Sequence, residues 1–372
     1  MTGRAHIVVG LAWGDEGKGA TVDLLAAHHR ADRVVRFNGG QQAAHNVMVG
    51  DLHHTFQSYG SGTLTGVPTW ISHFCTVEPT SALRERIALR SKGVDAELIN
   101  VDLDALVTTG LHVAANRARE AARGEGHHGS TGRGFGETIA YSLDFPEAAP
   151  RVRDLQNADS YFDKLDTLAR YYADAGLLDP NLHGSYVLQA EEQLEHAAQV
   201  FRPVETGELL EQLAHGHTIF EGAQGFWLDE NFGFQPHTTW STTTPANARR
   251  LAREAGLTDV TTVGALRTYA TRHGAGPLPG EGQLHRRPAE PHNSDTAFAG
   301  TFRVGAHDPE LLRACIDITQ PDVLAVSHVD VYDQFHTTDG PMWLGSFAPL
   351  LVISAGPRRE DRTLLRHGVA AA

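Results

Sequence analysis

Residues 6–30, HIVVGLAWGDEGKGATVDLLAAHHR, decide the fold. Residues 6–13 are apolar and β-branched without clean alternation, the pattern of a strand buried on both faces of a parallel sheet. The glycine-rich turn GDEGKG (14–19) follows at once, and residues 21–30 then place apolar side chains at helical spacing. In a strand, glycine loop and helix, the backbone amides and Lys18 can converge on phosphate oxygens at the positive end of the helix dipole. The loop is not a standard Walker loop, because Gly19 follows the lysine where Ser or Thr would stand, and it is not a dinucleotide fingerprint. Asp15 sets it apart. An acid inside an anion cradle is costly unless it holds Mg²⁺ or removes a proton from the substrate.

Working outward, apolar segments at 33–37, 186–190, 217–221, 260–266, 323–327 and 350–354 read as strands, and helical patterns at 103–122 and 191–200 lie between them. The alternation predicts an α/β fold with a large, mainly parallel sheet flanked by helices. Residues 272–308 are rich in Gly, Pro, His and Arg with little periodicity and read as a functional loop. No internal repeat or low-complexity linker divides the chain, so residues 1–372 are expected to form a single domain.

The composition narrows the function. The 372 residues are 41% hydrophobic and 20% charged, as expected of a soluble globular protein, with no run of membrane-spanning length. A balance of 31 Lys+Arg against 45 Asp+Glu gives a net charge of -14, which repels nucleic acid in the absence of a basic block. Cys75 and Cys315 are far apart and lack a CxxC partner, arguing against a disulfide framework or thiolate zinc site. With no secretory signal visible, a cytoplasmic location is expected. The 22 histidines include the pairs His28/His29, His53/His54 and His127/His128, but no HExxH or comparable spacing, so no dedicated transition-metal site is expected. Arg267, Arg272, His285, Arg286 and Arg287 form either a solvated face or a set of anion ligands.

The stretch VVGLAWGDEGKGATVDLL resembles the N-terminal signature of the adenylosuccinate synthetase family, and further blocks match in the same order. These are RFNGGQQAAHN (36–46), GSTGRGFG (129–136), FEGAQGFWLD (220–229), TTWSTTT (238–244), YATRHGAGPLP (269–279), VSHVD (326–330) and SAGP (354–357). Members of that family move the γ-phosphoryl group of GTP onto the 6-oxygen of IMP, and the amine of L-aspartate then displaces phosphate. The resemblance implies a carbon–nitrogen ligase of purine biosynthesis, using Mg²⁺ and forming a homodimer.

Residue by residue, the resemblance makes Asp15 the base that removes the N1 proton of the purine and His45 the acid that meets charge developing between the phosphates, with Gln224 beside the purine. It assigns GTP to Gly14, Glu16, Gly17, Lys18, Gly19 and Asn46, and the guanine pocket to His328, Asp330, Ser354, Gly356 and Pro357. Asp330 would accept from the N1 and N2 hydrogens of guanine. Gln42, Thr131, Gln224, Thr239, Arg151 and Arg303 would contact the IMP-like substrate, and Asp15 with the carbonyl of Ala44 would bind the metal.

The departures are specific. The family's GGHNAGHT is GGQQAAHN here, a lysine of the base-recognition motif is His328, and the segment between Asp330 and Ser354 is short. The family's arginine-rich loop is SDTAFAGTFRVGAHD (294–308), which keeps only Arg303. No Arg or Lys occurs in 137–150, which leaves Arg151 as the nearest candidate for the arginine that the family supplies from a partner subunit. Three readings follow: an adenylosuccinate synthetase, a paralog aminating a modified purine-like nucleotide, or a nucleotide-binding regulator without turnover. Retention of both Asp15 and His45 weighs against the regulator.

Overall fold

The strands, in a computed structural model of the chain, are β1 (Arg4–Gly10), β2 (Arg33–Arg36), β3 (His45–Val49), β4 (Leu52–Phe56), β5 (Thr69–Ile71), β6 (Thr76–Val77), β7 (Ile99–Asp102) and β8 (Leu106–Val107). They continue as β9 (Phe201–Val204), β10 (His217–Glu221), β11 (Asp259–Arg267), β12 (Ala270–His273), β13 (Phe302–Gly305), β14 (Val323–Ser327), β15 (Leu350–Ser354) and β16 (Arg362–Val369). The structure describes residues 3–124, 130–179, 183–284, 288, 300–334 and 341–369. His127, His128 and Gly129, His285, Arg286 and Arg287, and residues 294–299 of the expected aspartate loop lie outside the described residues.

Ten strands form one sheet in the order β16-β15-β14-β11-β1-β10-β2-β5-β7-β9. Every neighbouring pair is parallel except β15 with β16. The expected α/β architecture is therefore present. β1 sits at the centre because its residues are buried on both faces: Ile7 and Val9 join the core on one side of the sheet, while Val8 packs on the other with Val22, Leu25 and Ala26 of helix α1 (Lys18–His29). From β1 the chain runs through α1 to β2, and β10 inserts between the two strands. In open α/β sheets, ligands bind outside the carboxyl ends of strands at such reversals.

Three local expectations change. β1 stops at Gly10, three residues early, because the Glu16 carboxylate takes the amides of Ala12 and Gly14 that a longer strand would have paired. Residues 186–190 are not a strand but the first half of a helix, His183–Val200, whose buried positions Ala190, Gln193 and Ala197 continue one helical stripe. Within the expected 103–122 helix, Leu106–Val107 pairs in parallel with Thr76–Val77, and the helix begins only at Gly110, where the Thr109 side chain caps the amide of His112. The long 272–308 segment is partly ordered, since β12 and β13 pair antiparallel.

Candidate active site

The carboxyl ends of β1, β2, β10, β11 and β14 bring the quoted motifs together. After β1 the glycine loop folds around Glu16, which is only 2% exposed. Its Oε1 accepts from the amides of Ala12 (3.1 Å) and Gly14 (2.7 Å), and its Oε2 pairs with the Lys18 ammonium at 2.5 Å. The Glu16 side chain therefore organises the loop from inside, and Lys18, also buried, is held against it. Gly225 of the FEGAQG block closes over the same point. A Cβ there would stand 2.3 Å from the Gly14 nitrogen and 2.5 Å from Glu16 Oε1.

Asp15 is turned the other way. Its φ of 60° lies in the left-handed region that Asp tolerates better than most residues. Its Oδ2 lies 3.0 Å from Nε2 of His273 in β12, and its carbonyl accepts from Arg267 at the end of β11. Thr271 donates to the Gly14 carbonyl at 3.0 Å, so β12 braces the loop at two adjacent residues. Burial alone would raise the Asp15 pKa, but the His273 hydrogen bond and the charges of Arg267 and Lys18 outweigh it and hold the group at about 2. Asp15 is a carboxylate at neutral pH.

His45, at the start of β3, presses against the first turn of α1. A Cβ at Gly19 would meet the His45 Cβ at 2.5 Å and Ser61 Oγ at 2.8 Å. A Walker-type Ser or Thr at position 19 is thus incompatible with this histidine. His45 Nδ1 lies 2.6 Å from Oε1 of Glu221, the last residue of β10. Glu221 is fully buried and also accepts from the Ser61 amide at 2.9 Å and from the Ser61 hydroxyl. Burial would raise Glu221, yet His45, Arg36 and Ser61 hold it at about 2. The ionised carboxylate only accepts, so His45 Nδ1 carries the proton and Nε2 faces away. Burial pulls the His45 pKa below its ordinary value despite Glu221, which leaves the imidazole neutral in the free site.

The GGQQ segment is fixed by a reciprocal pair, with the Asn38 side chain donating to the Ala223 carbonyl (3.0 Å) and accepting from its amide (2.8 Å). Gly39 donates to Ser241 Oγ, which ties in the TTWSTTT block, and Gln41 donates to the Arg133 carbonyl of the TGRG turn. Both amide atoms of Gln42 are buried without a hydrogen-bond partner. Gln224 adopts a left-handed φ of 66° between Ala223 and Gly225. Thr131 is exposed on the TGRG turn, and the Thr239 amide is anchored to the Leu228 carbonyl at 2.7 Å. Ala44 is exposed beside His45. Asn46 accepts from Thr55 within the β3–β4 hairpin.

On the β14 side, a Cβ at Gly17 would lie 3.4 Å from Ser327 Oγ, so VSHVD abuts the glycine loop. His328 has a φ of 61°, and burial holds its imidazole well below the ordinary range; Asp330 is exposed. Ser354 donates to the Gly356 carbonyl, and the Pro357 carbonyl accepts from Arg362. Two arginines expected at the substrate are engaged by protein groups. Arg303 pairs with Glu281 and donates to the carbonyls of Gly274 (3.0 Å) and Gly276 (2.8 Å), while Arg151 donates to the Asp104 carbonyl at 2.6 Å. Arg272 is fully buried on the carbonyls of Ala275, Pro277 and His237, where burial lowers it to about 10.

Sequence reasoning missed Glu221 and His273. Glu221 was visible as an acid ending an apolar strand within FEGAQG. His273 carried no local signal, because its partner is 258 positions away.

A family model for adenylosuccinate synthetase matches residues 7–339. The adenylosuccinate synthetase of Symbiobacterium thermophilum is 32% identical over 371 residues, covering 97% of this chain and 82% of the relative. That of Pseudomonas fluorescens is 33% identical over 347 residues, covering 90% and 79%. Among solved structures, the fully ligated adenylosuccinate synthetase of Plasmodium falciparum superposes with a TM-score of 0.79 at 18% identity, covering 98% of this chain and all of that one. The succinoaminodeoxyadenylate synthetase of cyanophage S-2L, bound to dGMP and to dATP as an energy donor, gives 0.68 at 18% identity over 98% and 96%. At that identity, these two likenesses bear on the fold. The parallel sheet and the sequence relatives together define a carbon–nitrogen ligase of purine nucleotide biosynthesis. The chain belongs to the adenylosuccinate synthetase family. Among the described residues, no helix is long and apolar enough to cross a membrane.

Proposed function

We propose that the chain uses GTP to phosphorylate the 6-oxygen of IMP, or of a closely related 6-oxo-purine nucleotide, and then joins L-aspartate at C6 with release of phosphate. The observation that carries this reading is the seating of the His45–Glu221 pair against the glycine loop that presents Asp15. A 6-oxo purine becomes nucleophilic at oxygen when N1 loses its proton, and Asp15 is an ionised acceptor for it. His45 is neutral in the free site. Polyphosphate charge arriving at Nε2 raises its pKa, and Glu221 stabilises the imidazolium that then donates between the phosphates.

The half-buried Asp15 carboxylate and the carbonyl of exposed Ala44 are hard oxygen donors, the donor chemistry that suits Mg²⁺. Bound there, the ion would offset phosphate charge. Amides of the loop through Gly14, Gly17 and Gly19 cradle phosphate, whereas the Glu16 side chain keeps the loop in shape. The unpartnered Gln42 amide, together with Gln224, Thr131 and Thr239, supplies neutral donors for the acceptor nucleotide. Asp330 reads guanine beside Ser354 and Gly356. Arg151 and exposed Leu143 and Phe145 are assigned to a homodimer contact, in a cytoplasmic enzyme.

The second reading left to test is a purine-like acceptor other than IMP, because Arg303, expected at the substrate, has its guanidinium engaged by Glu281 and two carbonyls. The test is incubation of purified protein with Mg²⁺, GTP, IMP and L-aspartate, followed by chromatography and phosphate release. Adenylosuccinate is expected. Turnover only with other oxo-purine nucleotides would establish the second reading, and binding without turnover on any acceptor would contradict both.

A further inference from the structure

Three histidines from separate elements meet at the amino-terminal edge of the sheet, opposite the active site. His6 lies in β1, His217 opens β10, and His29 ends α1. The 12 residues of α1 span about 18 Å, and they carry the chain from the glycine loop back to this edge. One ring nitrogen from each histidine lies within 4.8 Å of the other two, and His6 Nδ1 is 2.8 Å from His217 Nε2. The ring centroids are separated by 4.8, 5.0 and 4.6 Å. Three imidazoles on one zinc ion, at Zn–N distances of about 2.0–2.1 Å in a tetrahedral arrangement, place their ring centroids about 5 Å apart. The side chains are therefore already spaced for a shared ion, with only the nitrogens left to turn inward.

We propose that His6, His29 and His217 bind one divalent transition-metal ion of the zinc class, with solvent completing the coordination. The charge around the cluster supports a cation. Asp259 faces His6, and Asp32, which accepts from the His217 amide at 2.6 Å, faces His217; Arg4 opposes them. Burial lowers His6 to about 3 and His217 to about 4 and also lowers His29, so all three are neutral ligands at pH 7. Imidazole is a borderline ligand that suits zinc, copper or nickel, whereas the oxygen donors at Asp15 suit magnesium. The ion would tie the end of α1 to β1 and β10, and so hold from behind the helix whose first turn supports His45.

The test uses untagged protein, treated with chelator and titrated with zinc chloride by calorimetry, with metal counted after gel filtration. The expected result is one zinc per chain at micromolar affinity or tighter, together with a higher melting temperature. His29→Ala and His6→Asn should each weaken binding at least tenfold and remove the thermal shift. His28→Ala, which alters the exposed neighbour, should leave both unchanged, as should Asp15→Asn at the other end of the sheet. No binding, binding that survives His29→Ala and His6→Asn, or binding lost in Asp15→Asn would overturn the proposal.

Discussion

Nδ1 of His45 lies 2.6 Å from Oε1 of Glu221, and the two side chains are buried between the first turn of α1 and the end of β10. The contact fixes the imidazole tautomer and supplies the negative charge that an imidazolium needs once phosphate is bound. Glu221→Gln keeps the shape but removes that charge and competes for the tautomer. It should lower kcat by about 10²- to 10⁴-fold with a much smaller change in KM, the signature of an interaction made in the transition state. Steady-state kinetics checks this. A kcat within twofold of wild type would deny Glu221 its role.

Gly19 tests the same geometry from the other side. Because a Cβ would stand 2.5 Å from the His45 Cβ, Gly19→Ala must push His45 or the helix start aside. The expected cost to stability is about 1–3 kcal/mol, as for other overpacked sites. Activity should fall far more than the folded fraction does. Circular dichroism melts measured beside kcat separate the two effects.

The Asp15–His273 pair makes a prediction in pH. Asp15 is held at about 2, below its ordinary 3.8, so its contribution to stability is fully present above pH 3.8 and is lost as the pH falls toward 2. His273→Ala removes the hydrogen bond and leaves only the charges of Arg267 and Lys18 to oppose burial, so the pKa rises. The acid limb of the kcat/KM profile should then move to higher pH than in wild type, and acid unfolding should begin earlier. An unmoved limb would mean that His273 does not govern the charge of Asp15.

How much of this was legible in the sequence depended on range. β10, β14 and β15 match the apolar runs 217–221, 323–327 and 350–354 residue for residue, because a short, largely buried strand in a parallel sheet is recognisable from its own apolar composition. Residues 186–190 were misread because a short apolar run has no decisive period, and its continuation into Ala197 decides for helix only once the packing partner is known. The glycine loop was recognisable, but the inward turn of Glu16 and its hold on Lys18 were not, since the acid could have been placed on either side of the loop. The Asp15–His273 contact and the His6–His29–His217 cluster depend on sheet register across hundreds of residues, and no local spacing encodes it.

Nucleotide choice tests the β14 side of the site. Asp330 is exposed three residues beyond Ser327, which abuts the glycine loop, and a carboxylate can accept from the N1 and N2 hydrogens of guanine but finds no matching donor pair on adenine. GTP should exceed ATP by about tenfold or more in kcat/KM, and Asp330→Asn should narrow that gap. Equal use of ATP by the wild-type protein would show that this pocket does not select guanine.

If the purine 6-oxygen is phosphorylated before aspartate displaces it, that oxygen must leave with the phosphate, and labelling it reads the order of the two steps. IMP carrying oxygen-18 at C6 is incubated with GTP, Mg²⁺ and L-aspartate, and the released phosphate is analysed by mass spectrometry. One label per phosphate is predicted, because the oxygen activated at Asp15 and His45 must depart with the phosphoryl group. Adenylosuccinate formed alongside unlabelled phosphate would contradict it.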